Sequence, residues 1–240
     1  MDAGRTGRSD LHIALEQHGD AVVARPAGKL DSAGLPRLRD TLLGCAADPP
    51  AALVVVLDEF AVDRPGRLGV FTQVRLQLAD WPGIPLLLAA ATPPGGGPPV
   101  HPSVADALAR VRPAPRRQAS IDLPPVSAST RLARNFVRTL CRDWAAGPRR
   151  AGDARMVTSE LVENVLVHTD SPAVLRCDLR EDALSVAVAD GSPVPARMRE
   201  GRAGYLGGLG LKLVAQLTTR WGCSPTLTGG KVVWAVFSGR

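Results

Sequence analysis

Two spacings of apolar residues alternate along the chain and lay out its predicted elements. LHIALEQ (11–17) and AVVARPA (21–27) flank the turn His18-Gly19-Asp20 and predict a β-hairpin. In SAGLPRLRDTLLGCAAD (32–48), Leu35, Leu38, Leu42 and Leu43 recur at helical spacing, with Ser32 as the expected N-cap. AALVVVLDE (51–59) is an unbroken apolar run, the pattern of a strand covered on both faces. RLGVFTQVRLQLADW (67–81) predicts a helix, IPLLLAAA (84–91) a strand and PSVADALARV (102–111) a further helix. Strand and helix thus alternate over residues 10–112, which predicts a small α/β domain.

TPPGGGPP (92–99) reads as loop, and RPAPRRQ (112–118) as the boundary, with 113–118 as linker. Beyond it ASIDLP (119–124) predicts a strand and SASTRLARNFVRTLCRDWAA (127–146) a helix. A second helix runs through MVTSELVENVLVHTD (156–170), with Asp153 as its expected N-cap. AVLRCDLR (173–180) and LSVAVAD (184–190) alternate around Glu181-Asp182 as an antiparallel hairpin with one face on a core. LGGLGLKLVAQLTTRWG (206–222) predicts a glycine-led helix and KVVWAVF (231–237) a closing strand. Residues 119–240 therefore form an α+β domain: a mostly antiparallel sheet with helices on one face.

Composition narrows the function classes. Hydrophobic residues make up 45% of the 240, so a packed core is expected. The net charge of +6 is spread along the chain, and RPAPRRQ is its one dense basic run. With one Tyr, four Phe and four Trp there is no basic, aromatic platform for single strands, so direct nucleic-acid binding is not expected. Cys45, Cys141, Cys177 and Cys223 stand far apart with no CxxC pair, which fits small core residues in a reducing compartment. No run reaches about 18 apolar residues, and MDAGRTGRSD lacks an apolar signal core. The expectation is a cytoplasmic protein without membrane attachment, its residues 1–9 disordered.

The chemistry concentrates in the second half. Glu160 and Asn164 stand four apart and share one helix face. Asp190 ends a strand, and Gly208-Leu209-Gly210 opens a helix. Each feature alone is commonplace; their order is informative. Amides at a helix N-terminus suit phosphate oxygens, and glycines permit close approach. A carboxylate at a strand end accepts from an adenine amino group, Asn offers Mg²⁺ a hard oxygen, and Glu160 can accept a proton. His168 reads as a structural residue at the helix end, and Glu163, about 100° round the helix from Asn164, as a supporting or solvated acid.

SELVENVLVH, VAVADGSP, GGLGLKLV and the terminal GGKVVWAVF resemble, in order, the boxes of the GHKL ATPases, whose nucleotide pocket is the Bergerat fold. The resemblance covers residues 119–240 and is nearest to the anti-sigma-factor serine kinases of the actinobacterial branch. It implies ATP and Mg²⁺ as cofactors, with Glu160 as general base and Asn164 as the Mg²⁺ ligand. Asp190 would hold the adenine amino group. Ser192, Gly208, Gly210 and Leu211 would complete the nucleotide site, and residues 192–206 would form a short lid. Ser192 stands where the wider family prefers glycine, and Gly191 where the branch has a second acid.

Residues 10–112 resemble, more weakly, a STAS domain, the fold of anti-sigma-factor antagonists, through GKLDSAGLPRLRDTLL, LVVVLDEFAVDRPGRLGVF and VHPSVADALA. That family's acceptor loop reads Asp-Ser-Ser/Thr-Gly; here it is Asp63-Arg64-Pro65-Gly66, and proline has no hydroxyl to phosphorylate. Only TPPGGGPP remains where antagonists have another helix, so the domain reads as degenerate. Ser32, Thr41 and Thr72 offer hydroxyls without a supporting motif. Together the resemblances imply an ATP-dependent protein serine/threonine kinase of a partner-switching pathway, phosphorylating a separate STAS antagonist. The alternative is a non-catalytic, ATP-dependent module that sequesters a sigma factor or antagonist. A homodimer is also implied.

Overall fold

The computed structural model describes residues 10–93, 98–112, 115–196 and 209–238. The chain divides into two compact units, Met1–Pro113 and Ala114–Arg240.

In the first unit, β1 (His12–His18) and β2 (Ala21–Leu30) form the predicted hairpin, paired antiparallel from His12↔Ala27 to His18↔Ala21. Then come α1 (Gly34–Gly44), β3 (Leu53–Val56), β4 (Phe60–Val62), a 3₁₀ turn over Pro65–Leu68 and α2 (Gly69–Asp80). β5 (Leu86–Ala89), β6 (Val100–His101) and α3 (Val104–Leu108) complete it. The sheet runs β1-β2-β3-β5-β6, with β4 also beside β2, and every pairing but β1–β2 is parallel. All four residues of β3 are buried, as an unbroken apolar run demands of a strand inside a parallel sheet.

Two details differ from expectation. Ser32 does not cap α1. The helix begins at Gly34, whose N–H donates to Asp31 Oδ1 at 2.8 Å, so a carboxylate one residue earlier takes the hydroxyl's place. Asp31→Ala is expected to cost about 1 kcal/mol, read as a lower denaturant midpoint at unchanged slope. β4 and β6, of three and two residues, are too short to leave a periodic signature.

The second unit contains β7 (Arg116–Leu123), α4 (Ala128–Asp143), α5 (Pro148–His168), β8 (Ala173–Arg180) and β9 (Ala183–Asp190). α6 (Leu209–Leu217), β10 (Arg220–Pro225) and β11 (Lys231–Phe237) follow. Its sheet, ordered β10-β11-β9-β8-β7, is antiparallel throughout. Leu175 and Cys177 of β8, Val186 and Val188 of β9, and Val233 and Ala235 of β11 point to one face. There they pack with Ala133 and Val137 of α4, Val157, Leu161 and Val165 of α5, and Val214 of α6. This is the α+β layering expected from the alternation in β8 and β9.

Three boundaries move. α5 starts at Pro148, not near Asp153: Gly147 at φ 83° turns the chain and proline occupies the first turn, where its missing N–H costs nothing. β7 starts at Arg116, inside the expected linker, because Arg116 Nε donates to buried Asp178 at 2.8 Å and anchors that end of the strand. The helix expected over 206–222 stops at Leu217. Thr218 Oγ1 bonds back to the Val214 carbonyl at 2.7 Å, and residues 220–225 join β11 as β10.

All four cysteines are free thiols. Burial raises the Cys45 pKa to about 11 and pushes Cys177 up as well, as for inert core thiols. Among the described residues no helix is long and apolar enough to cross a membrane.

Candidate functional site

The site is built on α5. Ala154, Val157, Leu161, Val162 and Val165 turn to the core, which fixes the rotation of the helix. Glu160 and Asn164 then fall at the edge of the buried stripe and are half-buried, while Glu163 and His168 are exposed. His168 is the last residue of α5, the structural position expected of it.

α6 packs against α5 and brings Gly210 to the same edge. A Cβ added at Gly210 would collide with Glu160 Oε2 and stand 3.9 Å from Asn164 Nδ2. A side chain at this position would displace the Glu160 carboxylate, so the glycine leaves that group in its place beside α6. Leu211, named above among the residues that would complete the nucleotide site, lies one position further along α6. Its side chain is buried in the core of the unit. Gly208 and residues 197–206 of the expected lid lie outside the described residues.

Burial of the Glu160 carboxyl, and secondarily the charge of Glu163, hold its pKa above the usual carboxylate value. Glu163 is thus electrically coupled to the site although its side chain faces solvent.

Asp190 ends β9 and is buried, 6% exposed. Its Oδ1 accepts from Ser192 N–H at 2.8 Å and from Lys231 Nζ at 2.7 Å. Its Oδ2 is buried with no hydrogen-bond partner among the described residues. A buried acceptor left open in this way costs stability unless something supplies a donor. Ser192 contributes its amide to Asp190, and its Oγ accepts from Val194 N–H at 3.4 Å.

Gly230, just before β11, packs its α-carbon on the Asp190 carbonyl, where a Cβ would collide. That approach seats Lys231 directly opposite Asp190 in the β11–β9 register. Sequence reading passed over Lys231, taking it as the first residue of an apolar strand. The available signal was a lone cation opening KVVWAVF immediately after two glycines.

These residues fit a purine nucleotide. The open Asp190 Oδ2 suits an amino donor, and Gly210 in the first turn of α6 leaves room for closely approaching phosphates. Among the described residues no three His, Cys, Asp or Glu side chains converge. A cation at Asn164 would therefore take most of its ligands from phosphate and water, the habit of Mg²⁺.

In the first unit, the loop Asp63-Arg64-Pro65-Gly66 runs into the 3₁₀ turn that begins at Pro65. Asp63 and Arg67 bracket it as an ion pair. The hydrogen bond from Arg67 lowers the Asp63 pKa, and the loop presents a charged pair in place of a hydroxyl.

No protein-family profile and no curated protein matches the chain. Among solved structures it is similar to an anti-sigma factor antagonist from Mycobacterium paratuberculosis, at 21% identity and a TM-score of 0.37, over 42% of this chain and 94% of that one. It is also similar to the RsbU and RsbW domains of a Mycobacterium tuberculosis protein, at 19% identity and a TM-score of 0.39. That match covers 52% of this chain and only 33% of the other. Likenesses at these TM-scores carry no weight for function, which rests on the site itself.

Proposed function

We propose that the second unit binds Mg²⁺-ATP and transfers the γ-phosphate to a serine of a separate STAS-type anti-sigma-factor antagonist. The observation that carries this reading is the convergence of Glu160, Asn164 and Gly210, fifty residues apart in sequence, with the open Asp190 acceptor in the same unit. Asp190 Oδ2 accepts from the adenine amino group, and the first turn of α6 cradles the phosphates. Mg²⁺, when bound, offsets the phosphate charge, and Asn164 is the side chain that holds it. Glu160 takes the proton of the serine hydroxyl as its oxygen bonds to the γ-phosphorus and the bond to the β-phosphate oxygen breaks, releasing ADP.

The test is calorimetry of ATP binding with and without Mg²⁺. Asn164→Ala is expected to weaken binding about tenfold in Mg²⁺ and to change little in its absence. Equal affinity and equal Mg²⁺ response in both proteins would remove the pocket assignment.

One observation favours the second reading, a module that binds a sigma factor or antagonist without phosphoryl transfer. Arg131, Arg134, Arg138 and Arg142 form an exposed ladder along α4, spaced three and four apart. Only Arg142 has an acid within ion-pair distance among the described residues, its neighbour Asp143. Like charges at this spacing cost helix stability, and an acidic partner would relieve them. Salt-sensitive capture of an antagonist or sigma factor, with no labelled serine formed from γ-labelled ATP, decides for this reading.

A further inference from the structure

The proposed ATP reading leaves the role of Lys231 undefined, and the geometry around it goes further. Lys231 and Asp190 are cross-strand partners at the paired ends of β11 and β9, on the side of the sheet that faces the helices. Their side chains are 12% and 1% exposed, so this is a buried ion pair. Lys231 Nζ donates to Oδ1 at 2.7 Å and reaches the Ser192 carbonyl at 3.5 Å, tying the carboxylate to the chain that follows β9. With the Ser192 amide on the same oxygen, Oδ1 has two donors while Oδ2 has none among the described residues.

This asymmetry has a chemical consequence. A carboxylate free to rotate could present either oxygen, or share both with water. Here one oxygen is occupied and the plane of the carboxylate is held, so only Oδ2 remains for a ligand. Oδ2 can only accept. A ligand placing an N–H there completes the site; one placing a carbonyl there sets two acceptors face to face, both stripped of water.

Resting on the ATP reading above, we propose that Lys231 is a positioning residue that sets the base preference of the site. By engaging Asp190 Oδ1 it presents Oδ2 as the single open acceptor and selects 6-amino over 6-oxo purine nucleotides. The discrimination is made in binding, so it acts on affinity and leaves the transfer chemistry at Glu160 untouched.

The test compares ATP with inosine triphosphate, which carries a carbonyl in place of the amino group. Their affinities for the full chain are measured calorimetrically in Mg²⁺. The wild type is expected to prefer ATP by at least about tenfold. Lys231→Met is expected to weaken ATP binding about tenfold and change inosine triphosphate binding by less than about threefold, so the preference collapses. Lys231→Arg, which keeps a cation beside Asp190, restores the preference.

A merely structural lysine predicts otherwise: both nucleotides weaken by the same factor and the ratio is kept, which overturns the proposal. If Lys231→Met fails to fold, the pair is removed together as Asp190→Asn with Lys231→Met, leaving no lone buried charge. The neutral amide can accept or donate, so near-equal affinities for the two nucleotides are expected. A double variant that still prefers ATP by the wild-type margin overturns the proposal. A wild type that prefers ATP while the single variant keeps the ratio overturns the role of Lys231 alone. A wild type that binds neither nucleotide overturns the ATP reading and this inference together.

Discussion

Glu160→Gln is expected to lower serine phosphorylation about 10²–10⁴-fold and to leave ATP affinity within about threefold. Glutamine keeps the shape that packs against Gly210 but cannot take the serine proton. A variant that labels its partner at the wild-type rate would sink the assignment of Glu160 as base. The same experiment run against pH tests the electrostatics. Burial first, and Glu163 second, raise the Glu160 pKa, and only the ionised form is a base. Transfer is therefore expected to fall as the pH drops through a value above the usual carboxylate range. Glu163→Gln removes one of the two causes and is expected to move that fall to lower pH.

The sign for stability is the opposite of a salt-bridged acid. With its folded pKa raised, Glu160 binds protons more readily folded than unfolded. Its contribution therefore favours the fold at low pH and diminishes as pH rises through the unfolded and then the folded pKa. Glu160→Gln should consequently raise the denaturant midpoint at neutral pH while abolishing activity, the signature of a group kept for function.

Gly210→Val is the second large effect. Any Cβ there collides with the Glu160 carboxylate, and the branched side chain of valine cannot turn both methyls away. Either α6 moves off α5 or Glu160 leaves its place. Each outcome separates the base, Asn164 and the phosphate cradle, so phosphoryl transfer is expected to fall more than about a hundredfold. The atom displaced is the mobile end of the Glu160 side chain, so the cost in stability is expected to be small beside the loss of transfer. Circular dichroism is expected to show the secondary structure retained, because Val214 and Leu211 keep α6 anchored in the core of the unit. Wild-type ATP affinity together with wild-type transfer in this variant would show that α6 and α5 do not form one site.

Elements with a clean period were legible from the chain. The buried run of β3, the alternation of β8 and β9, and the helical spacing in α1, α2, α4 and α5 each state their own burial. Where a second principle intervened, the pattern misled. Residues 218–222 follow a strongly helical stretch, so β10 was hidden until its pairing with β11 could be seen. Asp153 resembles a cap, yet Gly147-Pro148 upstream starts the helix.

For the site, spacing within one helix placed Glu160 and Asn164 together, and a glycine motif marked Gly210 as special without saying against what. That it closes on Glu160 is a tertiary fact. Lys231 was invisible for the same reason: its importance lies in the residue opposite, and 41 positions separate it from Asp190. Strand register alone makes them neighbours.

The position of β11 has one more consequence. It lies inside the sheet, between β10 and β9, although it is the last strand described. The β8–β9 hairpin can form early from local contacts, but its Asp190 end stays unpartnered until β11 docks from far along the chain. The pairing of β11 with β9 is thus also what delivers Lys231 to Asp190. Without that pairing Asp190 Oδ1 lacks its lysine donor. A ligand that engages Asp190 Oδ2 would then recognise only the paired strands, and its binding energy would be added, through mass action, to the docking of β11 on β9.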